Sequence, residues 1–119
     1  VQQVNTTGLH QDGFEYDQAE YVDYFNFLAE VAKDNGLAIG LKNAIDMIPD
    51  VLDVIDFAVN EQCHEEKECE GYEPVTGAKK AVFNVEYGVE DCSDPENVNL
   101  STIIKPADLE LNTLGGIFC

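Results

Sequence analysis

Basic side chains are scarce in this chain of 119 residues, with 6 Lys and Arg against 24 Asp and Glu and a formal charge of −18. Nothing in it could neutralise a run of phosphates, so nucleic acid is excluded as a partner, and anionic membrane surfaces by the same argument. A cationic ligand is what such a field would concentrate near the surface. Long apolar runs are missing as well. No stretch approaches the roughly 18 residues of a membrane span, and no secretory h-region is present. A starting Met is also missing, the first residue being Val1, and the start reads as processed or truncated. Disorder does not follow from the charge, because 45% of the residues are hydrophobic, enough for the core of one small domain.

Metal-binding spacings are absent too. There is no C-x2-C pair, and His64 is the one imidazole near the cysteines, so a structural zinc site is the weaker reading and no metal or cofactor is expected. The 4 cysteines, all in the second half, read as two disulfides made in an oxidising compartment. Cys63 and Cys69 would close a small loop, and Cys92 and Cys119 would tie down the terminus. Asn5-Thr6-Thr7 and Asn99-Leu100-Ser101 are glycosylation sequons that add slightly to an extracellular reading. Calcium binding through Asp91, Asp94 and Glu96 lacks the spacing and glycine of an EF-hand loop. Cysteine nucleophile chemistry is disfavoured, since Cys63 has a disulfide partner and no His/Asn pair is evident.

What is present alternates helix and strand. Residues 1–16 are polar, without period, and read as a loop. Asp17 and Glu20 have capping-box spacing, and a helix follows with Tyr21, Tyr24, Phe25, Leu28 and Ala32 as its apolar stripe. Asn35-Gly36 stops it. Leu37 to Leu41 is a short buried strand, in which Gly40 signals close packing or a bend. A helical stretch over Ala44 to Val54 is broken at Pro49, which restarts it in its first turn. Asp56 to Glu61 is a second buried strand, and a short helix between His64 and Tyr72 is pinned by Cys63 and Cys69. Ala81 to Val85 is a third strand and Leu100 to Ile104 a fourth. The last residues, 112–119, read as a weakly structured tail. Such alternation is the signature of an α/β fold with a parallel sheet.

Three successive strands end in polar clusters: Lys42-Asn43, Asn60-Glu61-Gln62 and Glu86-Tyr87. Neighbouring parallel strands lie about 4.8 Å apart, so these tips converge on one end of the sheet, where α/β enzymes build their sites. Four strands and three helices do not close a (β/α)8 barrel, which needs about 250 residues. The chain is then a small open sheet or part of a larger barrel.

Gly36-Leu37-Ala38-Ile39-Gly40-Leu41-Lys42-Asn43, Asp56 through Cys63 with Cys69, and Val82-Phe83-Asn84-Val85-Glu86-Tyr87 resemble glycoside hydrolase family 114. The helix bearing Tyr24-Phe25-Asn26-Phe27-Leu28-Ala29 and the late Leu100-Ser101-Thr102-Ile103-Ile104-Lys105 are similar to its eukaryotic, fungal-like members. The family comprises endo-α-1,4-polygalactosaminidases with a TIM-barrel fold. The resemblance implies a partial (β/α)8 barrel, about strands five to eight, forming the C-terminal half of one domain. It implies that Glu61, in the Asn-Glu-Gln-Cys motif, is catalytic, and that Lys42, Asn43, Asn60, Glu86 and Tyr87 line the substrate cleft. The family's second carboxylate, an Asp after an earlier strand, has no counterpart here, and Val1 to Thr7 contain no acid. Glu86 is expected to help raise the pKa of Glu61 for a role as acid. The implied substrate, a galactosamine polymer, is cationic when deacetylated, in keeping with the charge. The implied protein is a secreted glycosidase; the alternative is a non-catalytic carbohydrate-binding homologue of the same fold.

Overall fold

The structure, a computed structural model, describes residues 16–88, 91–108 and 115–119. The expected loop at the start lies almost wholly outside these residues. Helix α1 covers Gln18–Asp34. It begins where the sequence indicates: the Asp17 carboxylate accepts the Ala19 and Glu20 N–H groups, and Glu20 Oε2 accepts the Asp17 N–H at 2.7 Å. It ends by pairing the Gly36 N–H with the Lys33 carbonyl and the Leu37 N–H with that of Ala32. Gly36 supplies the left-handed residue this termination needs, at φ +67°.

The apolar stripe of α1 lies differently from the pattern read in the sequence. Ala29 is buried and Tyr21, Val22 and Phe25 pack half-buried against the core, whereas Tyr24 and Leu28 are exposed together with Phe27 and Val31. The helix is apolar over more than half its circumference, and among the described residues only one side of that arc is covered.

Four parallel strands follow in spatial and chain order: β1 (Gly40–Lys42), β2 (Phe57–Glu61), β3 (Ala81–Tyr87) and β4 (Ser101–Lys105). β1 is shorter than expected because the Leu37 N–H closes the end of α1 and Leu37 itself is exposed. Between β1 and β2 lie a single 3-10 turn, Ile45–Met47, and α2 (Ile48–Val51), with Pro49 in its first turn as expected. Between β2 and β3 come α3 (Cys63–Glu66), a 3-10 turn (Cys69–Tyr72) and α4 (Glu73–Gly77). The sequence reading stopped this helical region at Tyr72. Pro74, in the first turn of α4, is the overlooked helix-start signal. The last strand, β5 (Ile117–Phe118), is antiparallel to β4, and the Cys92–Cys119 disulfide fastens its end. Those two residues correct the reading of 112–119 as a tail.

Each strand divides its side chains between two faces. Leu41, Ala58 and Val82 point into the helical layer, against Met47, Ile48, Val51, Ile55, Tyr72 and Val75. Asn60, Asn84 and Thr102 stand beside one another across β2, β3 and β4 in that buried layer. The opposite face carries Lys42, Phe57, Val59, Glu61, Phe83, Val85, Tyr87 and Lys105. With helices on one side only, this is the arrangement of a partial (β/α)8 barrel, as expected, the second face being the barrel interior.

Gly40 is required by that second face. A Cβ there would stand 2.3 Å from the Phe57 ring, which packs edge-on to Phe83 with centroids 5.8 Å apart. Gly40→Ala is expected to push the Phe57 ring aside and to cost about 1–3 kcal/mol, as overpacking does. Urea unfolding of the variant would measure this; a loss of a few tenths would show the ring moves freely.

Candidate active site

The register of the strands assembles three side chains at the C-terminal ends of β1, β2 and β3. Lys42 pairs with Val59, two residues before Glu61, and Glu61 pairs with Val85, two residues before Tyr87. Steps of two keep all three on one face, the open one, on a diagonal across the strand tips. Lys42 Nζ donates to Glu61 Oε2 at 2.9 Å, and the Tyr87 hydroxyl donates to Oε1 at 3.1 Å. Both carboxylate oxygens are therefore held. The backbone is held as well: Asn43 Oδ1 accepts the Glu61 N–H at 3.1 Å.

Both tips turn sharply after the functional side chain. Asn43 and Ala44 follow Lys42 at φ +54° and +50°, and Gln62 follows Glu61 at +65°. Non-glycine residues adopt this region at a cost and keep it where the surroundings over-determine it. Here the surroundings are specific bonds. The Asn43 N–H reaches the Val59 carbonyl and the Gln62 N–H that of Val85, both at 2.8 Å.

The electrostatics follow from the contacts. The Lys42 hydrogen bond holds the Glu61 carboxyl below its usual range; partial burial opposes this, and the Tyr87 bond and the Lys42 charge reinforce it. Burial, together with the Glu61 carboxylate it faces, pushes the Tyr87 phenol up, so it stays a neutral donor. Since the folded-state pKa of Glu61 lies below its ordinary 4.5, the pair adds stability above that pH and loses it as pH falls through and below it. Wild type is therefore expected to lose more stability than Glu61→Gln on acidification from about pH 7 to about pH 3, by about 1 kcal/mol or less for a part-exposed pair. Denaturant titrations of both proteins would check it; equal losses would mean the ion pair contributes nothing.

Two residues expected in the cleft are not there. Asn60 and Glu86 each precede a site residue by one position, so the alternation of the strand turns them to the helical side, where they are 0% and 1% exposed. Asn60 donates to the Tyr72 hydroxyl at 2.8 Å and accepts the Cys63 N–H at 3.0 Å. Glu86 Oε1 accepts the His64 N–H and the Asn84 side-chain amide, both at 3.0 Å. They brace the turn after Glu61 from behind. Glu86 is consequently no neighbour that raises the Glu61 pKa, and the Lys42 contact pulls that pKa down, opposite to the expected direction. Burial also pushes the Tyr72 phenol up to about 12, leaving it protonated as the Asn60 partner. Asn84, Thr102 and Tyr72 were missed by the sequence reading; a polar residue inside each apolar run was the available signal for the first two. Lys105, paired in register with Tyr87, is a further cation at the tips.

Cys63, His64, Cys69 and Glu86 place four potential metal donors within 4.8 Å of one another, the one such group among the described residues. The cysteines are joined to each other, so no thiolate remains for zinc. Asp91 and Asp94 serve their own loop, accepting from Ser93 and from the Leu100 N–H respectively.

The family model described as glycoside-hydrolase family GH114 matches residues 2–119. Among solved structures the chain is similar to Aspergillus fumigatus Ega3, crystallised in complex with galactosamine, at 34% identity and a TM-score of 0.74. That match covers 88% of this chain and 49% of the other, so the chain spans about half the length of Ega3. No curated protein sequence matches.

Proposed function

The chain belongs to glycoside-hydrolase family GH114, and on that premise we propose that the protein hydrolyses α-1,4-linked galactosamine polymers, with Glu61 as one of its two catalytic carboxylates. The observation that supports this best is the fixed geometry of Glu61. It is a part-buried carboxylate at a strand tip on the barrel-interior face, with both oxygens and its own N–H bonded. The similarity to a structure holding galactosamine supports the substrate class.

Glycosidases set two carboxyl groups across the scissile bond, one as acid and the other as base or nucleophile. A carboxylate kept ionised by Lys42 suits the base or nucleophile. The complementary acid is a second carboxyl of the protein; among the described strands Glu61 is the one ionisable acid on the open face. Lys42, Asn43 and Tyr87 shape the floor around it. The formal charge of −18 draws a polycationic chain toward the cleft. Two disulfides fit a protein made for an extracellular setting.

The test is the release of reducing ends from an α-1,4-galactosamine polymer by the full-length protein. Shorter oligosaccharides accumulating with time would support hydrolysis. Polymer that is bound and left intact would favour the second reading, a carbohydrate-binding homologue. That reading rests on Glu61 being the one carboxylate on the open face of the described strands, and either result chooses between the two.

A further inference from the structure

We propose that Lys42 and Asn43 act together as the positioning unit of Glu61, Lys42 fixing its side chain and Asn43 its backbone, and that neither is primarily a sugar ligand. This rests on the reading of Glu61 given above. The two residues end β1, the strand beside that of Glu61. Lys42 sits on the open face with its ammonium 2.9 Å from Oε2, and the side-chain oxygen of Asn43 receives the Glu61 N–H at 3.1 Å. The left-handed turn through Asn43 and Ala44 brings that side chain back over the neighbouring tip. Tyr87 completes the grip from β3 at the other oxygen.

The arrangement has a chemical consequence. The carboxylate enters the reaction already aimed and already ionised, so it accepts a proton from the attacking water or bonds the anomeric carbon itself. In either case the bond from that carbon to the leaving oxygen breaks, and the leaving oxygen takes its proton from a different acid. Lys42 never touches the reacting atoms; it acts through Glu61. A cation in this place also makes a poor ligand for a sugar that bears its own ammonium group, which argues against Lys42 as a substrate contact.

The experiment compares the full-length wild type with Lys42→Met and Lys42→Arg, following kcat and KM on galactosamine oligomers against pH, and the Glu61 side-chain carboxyl by carbon NMR. In Lys42→Met the acid limb of kcat/KM is expected to move to higher pH, costing about tenfold on that limb for each pH unit moved. The Glu61 resonance should titrate in step, KM should change little, and Lys42→Arg should bring the limb back toward wild type. An unmoved limb with a raised KM would make Lys42 a sugar ligand and overturn the proposal. Movement of the alkaline limb instead would give Glu61 the acid role and overturn the charge assignment. Should Glu61→Gln prove fully active, the catalytic reading fails by itself, while the NMR titration of Lys42→Met still decides whether Lys42 governs the Glu61 charge.

Discussion

Replacing Glu61 with Gln in the full-length protein is expected to lower polymer hydrolysis by roughly 10²–10⁴-fold, the usual contribution of a positioned acid–base group. The reason is local. Gln has the same shape, and its carbonyl can still accept from Tyr87, so the tip of β2 stays in place. What disappears is the charge that faces Lys42 and the ability to take up a proton or to form a covalent bond. Binding of a galactosamine oligomer should therefore survive, because the remaining cleft is intact. Initial rates and calorimetric binding on the same preparations separate the two effects. Near wild-type rates would remove Glu61 from the mechanism, and loss of binding with rate would make it a sugar contact.

The second large effect is on stability. Asn60→Ala is expected to destabilise the fold by about 2–6 kcal/mol, since it strands two buried groups at about 1–3 kcal/mol each. Those groups are the Tyr72 hydroxyl and the Cys63 N–H, both of which bond only to Asn60 in the hydrogen bonds described above. Tyr72 is fully buried, so no water replaces the lost partner without the core opening. Tyr72→Phe should cost less, because it leaves a single amide donor unpaired. Urea unfolding of the three proteins gives the comparison. A loss below about 1 kcal/mol for Asn60→Ala would mean the turn after β2 relaxes or admits water. A rise in KM without loss of stability would instead return Asn60 to the substrate cleft.

These two adjacent residues show where the sequence was legible and where it was not. The strands were visible as apolar runs, and their polar ends located the site to within one residue. The run Phe57-Ala58-Val59 is apolar on both faces, however, as strands covered on both sides are. Nothing in it tells which of Asn60 and Glu61 looks into the barrel. The same ambiguity placed Glu86 beside Tyr87 in the cleft, when alternation sends it behind the sheet. The parity becomes fixed only once Leu41, Ala58 and Val82 are seen against α2 and α4. Helix α1 was legible at its ends, where Asp17, Glu20 and Gly36 are local signals, and misleading on its faces. Tyr24, Phe27, Leu28 and Val31 are as apolar as the residues that the helix does bury. The cysteines pair as read, in order along the chain, Cys63 with Cys69 and Cys92 with Cys119, at separations of 6 and 27 residues.

β1 ends the sheet on one side, and α1 carries an exposed apolar arc of Tyr24, Phe27, Leu28 and Val31. Phe83, on the sheet face opposite the helices, is half exposed.

The most direct test is the structure of the full-length Glu61→Gln variant with a galactosamine oligosaccharide bound. The account predicts a sugar ring over the tips of β1, β2 and β3, with its anomeric carbon, or the water poised to attack it, about 3–3.5 Å from the side chain of residue 61. Lys42 should lie beside that side chain and not on the sugar's amino group. A sugar bound elsewhere, or one that leaves residue 61 out of reach of the glycosidic bond, would contradict it.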